Sequence, residues 1–120
     1  MKCRLIILAA ILAFPAVIFA HAFVDHAEPK VGATVEAPKE IRVWFTLQVD
    51  PASSTLTVLN SGGKELEKED VHTDPENKKL LIVSVPQLPP GEYKVVWNAT
   101  SAEDKHRTHG DFKFTVEAKK

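Results

Sequence analysis

Tyr93-Lys94-Val95-Val96-Trp97-Asn98 alternates. Tyr93, Val95 and Trp97 fall on one side of an extended chain, and Lys94, Val96 and Asn98 on the other. Successive side chains of a β-strand point to opposite faces, so three large apolar residues at a period of two mark a half-buried strand. The same period recurs on either side. Ile41, Val43 and Phe45 alternate with Arg42, Trp44 and Thr46, and Leu56 and Val58 with Thr55 and Thr57. Leu81, Val83 and Val85 share one face of a further run, and Phe112, Phe114 and Val116 alternate with Lys113, Thr115 and Glu117. No helical stripe interrupts the pattern.

Turn formers separate these runs: Ser61-Gly62-Gly63, Asp74-Pro75-Glu76-Asn77 and Pro89-Pro90-Gly91, with Pro29, Pro38 and Pro51 breaking the earlier part. Short additional strands near residues 22–24 and 34–36 bring the expected total to about seven. The fold class is therefore all-β, a Greek-key β-sandwich or barrel of immunoglobulin-like or cupredoxin-like form. Its core is expected to form around Trp97 and Tyr93, facing Phe45 and Phe112 or Phe114.

The chain has 120 residues, enough for one domain. Lys2 and Arg4 form a positive start, residues 5–14 are apolar, and small Ala20 suits the position before a signal-peptidase cut. The apolar run is shorter than the roughly 20 residues a membrane span needs. Asp25, His26 and Glu28 follow too soon to extend it. Residues 1–20 thus read as a cleaved signal peptide, and residues 21–118 as the exported domain, with no membrane span after cleavage. Cys3 and Met1, the only cysteine and methionine, leave with the leader. The mature chain then has neither thiolate nor thioether, which excludes blue copper and a soft Cu(I) site built from its own residues. Fifteen basic residues stand against sixteen acidic ones, and loss of Lys2 and Arg4 tilts the remainder further to acid. No basic patch argues for nucleic acid.

Five histidines follow the leader: His21, His26, His72, His106 and His109. Cleavage after Ala20 makes His21 the first residue. Its α-amine and ring Nδ1 can close a six-membered chelate on one metal, and an α-amine pKa of about 8 lets a metal displace the proton at neutral pH. Nitrogen donors in a tetragonal set favour Cu(II), although ligand type alone does not separate it from Zn(II). A histidine left at the cut by chance has the same sequence. Asp104-Lys105-His106 is the second element. Asp and His at i and i+2 share a side of an extended segment and can reach one ion. Alone, such a pair is as readily a solvated loop, and Glu103 beside it is a competing carboxylate.

The two elements together, with Pro29-Lys30-Val31-Gly32, Gly91-Glu92-Tyr93-Lys94-Val95-Val96-Trp97 and the block from Asp104-Lys105-His106 through Gly110-Asp111-Phe112-Lys113-Phe114-Thr115-Val116, make the chain resemble the CopC family of periplasmic copper-resistance proteins. The likeness covers essentially the whole mature chain. It implies one Cu(II) ion held by His21, Asp104 and His106 in a periplasmic monomer that buffers copper or hands it to an inner-membrane transporter. The sequence departs from the family in three places. The step from Trp97 to Asp104 is one residue longer and calls for a bulge or wider loop. Leu47 stands where a glutamate is often found, and the methionine-rich segment of some members is absent.

Two other functions compete. An N-terminal histidine with a second one resembles the histidine brace of copper-dependent oxidative enzymes. The small size, the extra carboxylate and the lack of a substrate face weigh against an enzyme. A metal-free immunoglobulin-like assembly module is the other. His109 is expected in a solvated loop or around the metal site, His72 on the surface, and His26 near the site only if the first strand curls back.

Overall fold

A computed structural model describes residues 21–118; residues 1–20, expected to be a signal peptide, and the Lys119-Lys120 tail lie outside the described residues. Eight strands run in the order β1 (Val24–Glu28), β2 (Thr34–Val35), β3 (Glu40–Phe45), β4 (Thr55–Leu59), β5 (His72–Asp74), β6 (Asn77–Ser84), β7 (Gly91–Thr100) and β8 (Arg107–Val116). They form two four-stranded sheets, β1-β3-β6-β5 and β2-β8-β7-β4. Except for the β5–β6 and β7–β8 hairpins, each connection carries the chain from one sheet to the other. The result is the sandwich that the alternation implies.

The alternating residues meet between the sheets. Ile41, Val43, Phe45, Leu81 and Val83 come from one, and Leu56, Val58, Tyr93, Val95, Trp97, Phe112, Phe114 and Val116 from the other; all are buried in one core. Full burial of a large apolar side chain stabilises by roughly 1.5–3 kcal/mol, so these positions dominate the fold. Phe45 meets Trp97 edge-on with ring centroids 5.4 Å apart, and Tyr93 stacks on Phe114 at 5.5 Å. These are the aromatic partners the sequence pairs. The buried Tyr93 hydroxyl donates to the Pro89 carbonyl, which closes the Pro89-Pro90-Gly91 corner.

The eighth strand, one more than expected, is β5. It consists of three polar residues, His72–Asp74, and pairs only with β6. The adjoining β6 is apolar on both faces: Leu80 and Ile82 are 4% and 5% exposed yet stand outside the main core. Their cross-strand neighbours are Trp44 and Arg42, whose broad side chains cover the outer face of this sheet. The Arg42 guanidinium lies 5.5 Å from the centre of the Trp44 ring, within cation–π range.

Candidate metal centre

At one end of the sandwich, the loop after β3, the turn between β7 and β8 and the chain segment before β1 come together. The first two are joined through backbone: Ala102 N–H donates to Gln48 O, Asp50 N–H to Thr100 O, and Val49 bridges Ser101. The Ser54 hydroxyl accepts from Thr100 N–H, and Thr100 donates to Ser53 O. Asp50 caps the 3-10 turn Pro51–Ser53 and also meets the Lys105 ammonium at 3.3 Å. The Ser53 hydroxyl, then the Ala52 N–H, hold its carboxyl below the usual range.

The third segment lies across this end. Ala22 is fully buried in the core. Thr46 N–H donates to Phe23 O, Phe23 N–H donates to the Thr46 hydroxyl at 3.0 Å, and that hydroxyl donates to His21 O at 3.3 Å. The Thr108 hydroxyl donates to Ala22 O. His21 consequently sits beside His106, with ring centroids 5.4 Å apart and planes at 81°. Two imidazoles from opposite ends of the chain thus face one another edge-on.

Asp104 is reached differently from the sequence expectation. The segment Asp104-Lys105-His106 is not extended, because Lys105 has φ 61°, in the left-handed region. The turn is closed by Ser101 N–H to His106 O and Lys105 N–H to Ser101 O. It is the turn, rather than strand alternation, that puts Asp104 near His106: the Asp104 carboxylate accepts from the His106 N–H at 3.3 Å. The Ser101 hydroxyl first, and the His106 N–H second, hold the Asp104 carboxyl below its ordinary range. Pairing of β7 with β8 runs without a bulge from Gly91–Val116 to Thr100–Arg107, so the chain between Thr100 and Arg107 forms a wide turn.

Among the described residues, no three His, Cys, Asp or Glu side chains already form a metal-sized cluster. The structure brings His21 and His106 together and ties Asp104 to the backbone of His106. The remaining donor in the expected set is the His21 nitrogen, which is an amide in the intact chain and an amine only after cleavage.

The other histidines point elsewhere. His109 pairs with Asn98 on β8 and is exposed, one residue out of phase with inward Thr108 and Gly110. His26 stacks on Trp44 at 4.3 Å and bonds the Asp25 carboxylate at 2.7 Å. His72 is exposed, its Nδ1 2.6 Å from Asp70 O. Leu47 packs against the core and, with Gln48, Ser101, Glu103 and Asp104, lines a shallow depression, so position 47 offers an apolar side chain there and no carboxylate. Sequence reasoning passed over Thr46 and Thr108. Threonine is ordinary in strands, and nothing local distinguishes these two.

A family model described as a CopC domain matches residues 24–117. The chain belongs to the CopC family. The matched span contains Asp104 and His106 and begins just after His21. Among solved structures, CopC from Methylosinus trichosporium OB3b superposes with a TM-score of 0.75 at 32% identity, over 81% of this chain and 94% of that one. PcoC, a methionine-rich copper resistance protein from Escherichia coli, gives 0.73 at 25% identity, over 82% and 100%. Copper resistance protein C of Escherichia coli is 27% identical over 104 residues, 81% of this chain and 82% of its own length. Copper transport protein CutJ of Bacillus subtilis is 26% identical over 114 residues, 93% of this chain, but the match spans only 21% of that protein. These relatives are named for copper resistance and copper transport, which agrees with the expectation of a binding protein rather than a catalyst. Unlike methionine-rich PcoC, this CopC chain has Met1 alone.

Proposed function

We propose that this CopC chain, cleaved after Ala20 on export to the periplasm, is a copper-resistance protein that holds one Cu(II) ion. The ligands are the α-amine and ring of His21, the ring of His106 and the carboxylate of Asp104. Three nitrogens and one oxygen suit the tetragonal preference of Cu(II). Such a set leaves little room for dioxygen or substrate, which favours storage and transfer over oxidative chemistry. The observation that carries the reading is the 5.4 Å approach of the His21 and His106 rings at the end where His21 begins the mature chain.

Asp104 is preferred to Glu103 as the carboxylate because its oxygen is already turned to the His106 backbone and its charge is favoured there. The protein works as a monomer and passes copper to a partner in the inner membrane. The match to one part of a much longer protein named for copper transport supports a role beside such a transporter.

Electron paramagnetic resonance of the processed chain with one equivalent of Cu(II) tests the ligand set. A single axial spectrum with nitrogen hyperfine structure is expected, altered in His21→Ala and in His106→Ala. Spectra identical to wild type in both variants would refute the assignment.

A further inference from the structure

The ends of protein chains usually fray, because few contacts repay the entropy of ordering them. The first three residues of the mature chain are held instead. His21 O and Phe23 N–H both meet the Thr46 hydroxyl, Ala22 O meets the Thr108 hydroxyl, and the Ala22 side chain is fully buried. Thr46 directly follows β3 in one sheet, and Thr108 lies on β8 in the other. The two hydroxyls therefore fasten the tripeptide across the mouth between the sheets. Each serves this segment rather than its own strand ladder.

We infer that Thr46 and Thr108 are positioning residues for copper: they fix His21, and with it the new α-amine, at the distance from His106 that a shared ion requires. The inference rests on the proposed Cu(II) site. A bidentate terminal residue contributes fully to affinity only if its backbone is already placed, since otherwise binding must itself order the segment. Thr46 acts at two points, through a hydroxyl that accepts from Phe23 N–H and donates to His21 O. Thr108 acts from beside the second ligand, two residues after His106, so it couples the positions of both rings.

Valine keeps the branched shape and strand preference of threonine but has no hydroxyl. In the processed chain, Thr108→Val and Thr46→Val should each lower Cu(II) affinity about tenfold, the equivalent of roughly 1.4 kcal/mol. The thermal transition should stay close to wild type, because the loss is confined to the chain end. Thr108→Ser should restore affinity, and the Phe23 amide should exchange with solvent faster in Thr46→Val. A merely structural role would shift the thermal transition and leave affinity alone. If Thr108→Val does not fold, Thr46→Val, altered at an exposed side chain, carries the same comparison. Wild-type uptake of Cu(II) with equal affinity in the valine variants overturns the clamp alone. Failure of the wild-type processed chain to take up Cu(II) at micromolar concentration overturns the clamp and the proposed site together.

Discussion

Gly110 shows how one residue governs the core. It lies opposite Trp97 on the β7–β8 ladder, and a Cβ added there would stand 2.6 Å from Trp97 Cζ2 and 2.9 Å from Cε2. The ring lies over the glycine and cannot swing away cheaply, since it is 6% exposed and packed against Phe45. Gly110→Ala should therefore destabilise the fold by about 1–3 kcal/mol, the usual cost of overpacking a tight core. Urea unfolding followed by tryptophan fluorescence measures this, and an unchanged midpoint would disprove the packing argument. The glycine was visible in the sequence as part of the C-terminal block. Its reason was not, because only strand register puts it beneath an indole.

Whole elements were legible to different degrees. β3, β4, β7 and β8 declare themselves by alternation, since each has one face on the core and one toward water. β6 is only half legible, because Leu80 and Ile82 are buried on the outer face and blur the period. β5 is not legible at all. It is three polar residues whose pairing is imposed by the turn at Asp74-Pro75-Glu76-Asn77 and by side chains reaching across to β6. Asp70, just before it, accepts from Ser84 N–H at 2.9 Å. Hydrogen bonds from the Ser84 side chain first, and its backbone second, hold the Asp70 carboxyl below the usual range. A carboxyl lowered in the folded state contributes stability that is present above its unfolded pKa, about 3.9, and is lost as pH falls through the folded value. The β5–β6 edge should then loosen in acid. Ser84 amide exchange, corrected for its intrinsic pH dependence, should lose protection below about pH 4, near the reference carboxyl value. In Asp70→Asn that acid-dependent step should vanish; its persistence would show that another group controls the edge.

The turn between β7 and β8 teaches the same lesson for the candidate site. The sequence pairs Asp104 with His106 on a strand geometry that the turn does not have. Lys105 in the left-handed region, with its ammonium on Asp50, supplies the approach instead. Such a conformation costs a non-glycine residue roughly 1–2 kcal/mol, and its choice depends on contacts from a distant loop. No local pattern could announce it. His26 and His109 were placed away from the site by register, a property of paired strands and not of either sequence alone.

For the whole molecule, the two-sheet architecture is what brings the segment from His21 to Phe23 to the turn that closes the last hairpin. Leu56, Val95, Phe114 and their neighbours build the wall, while Ala22, Thr46 and Thr108 seat the end upon it. The proposed copper site requires one covalent event, removal of everything before His21. Before that cut the nitrogen of His21 is an amide, and the chelate lacks its most basic donor. The most direct measurement compares Cu(II) affinity for the chain beginning at His21 with that for a chain retaining Ala20. The account predicts a loss of at least about a hundredfold, roughly 2.7 kcal/mol, when Ala20 remains. Equal affinity in the two chains would contradict it.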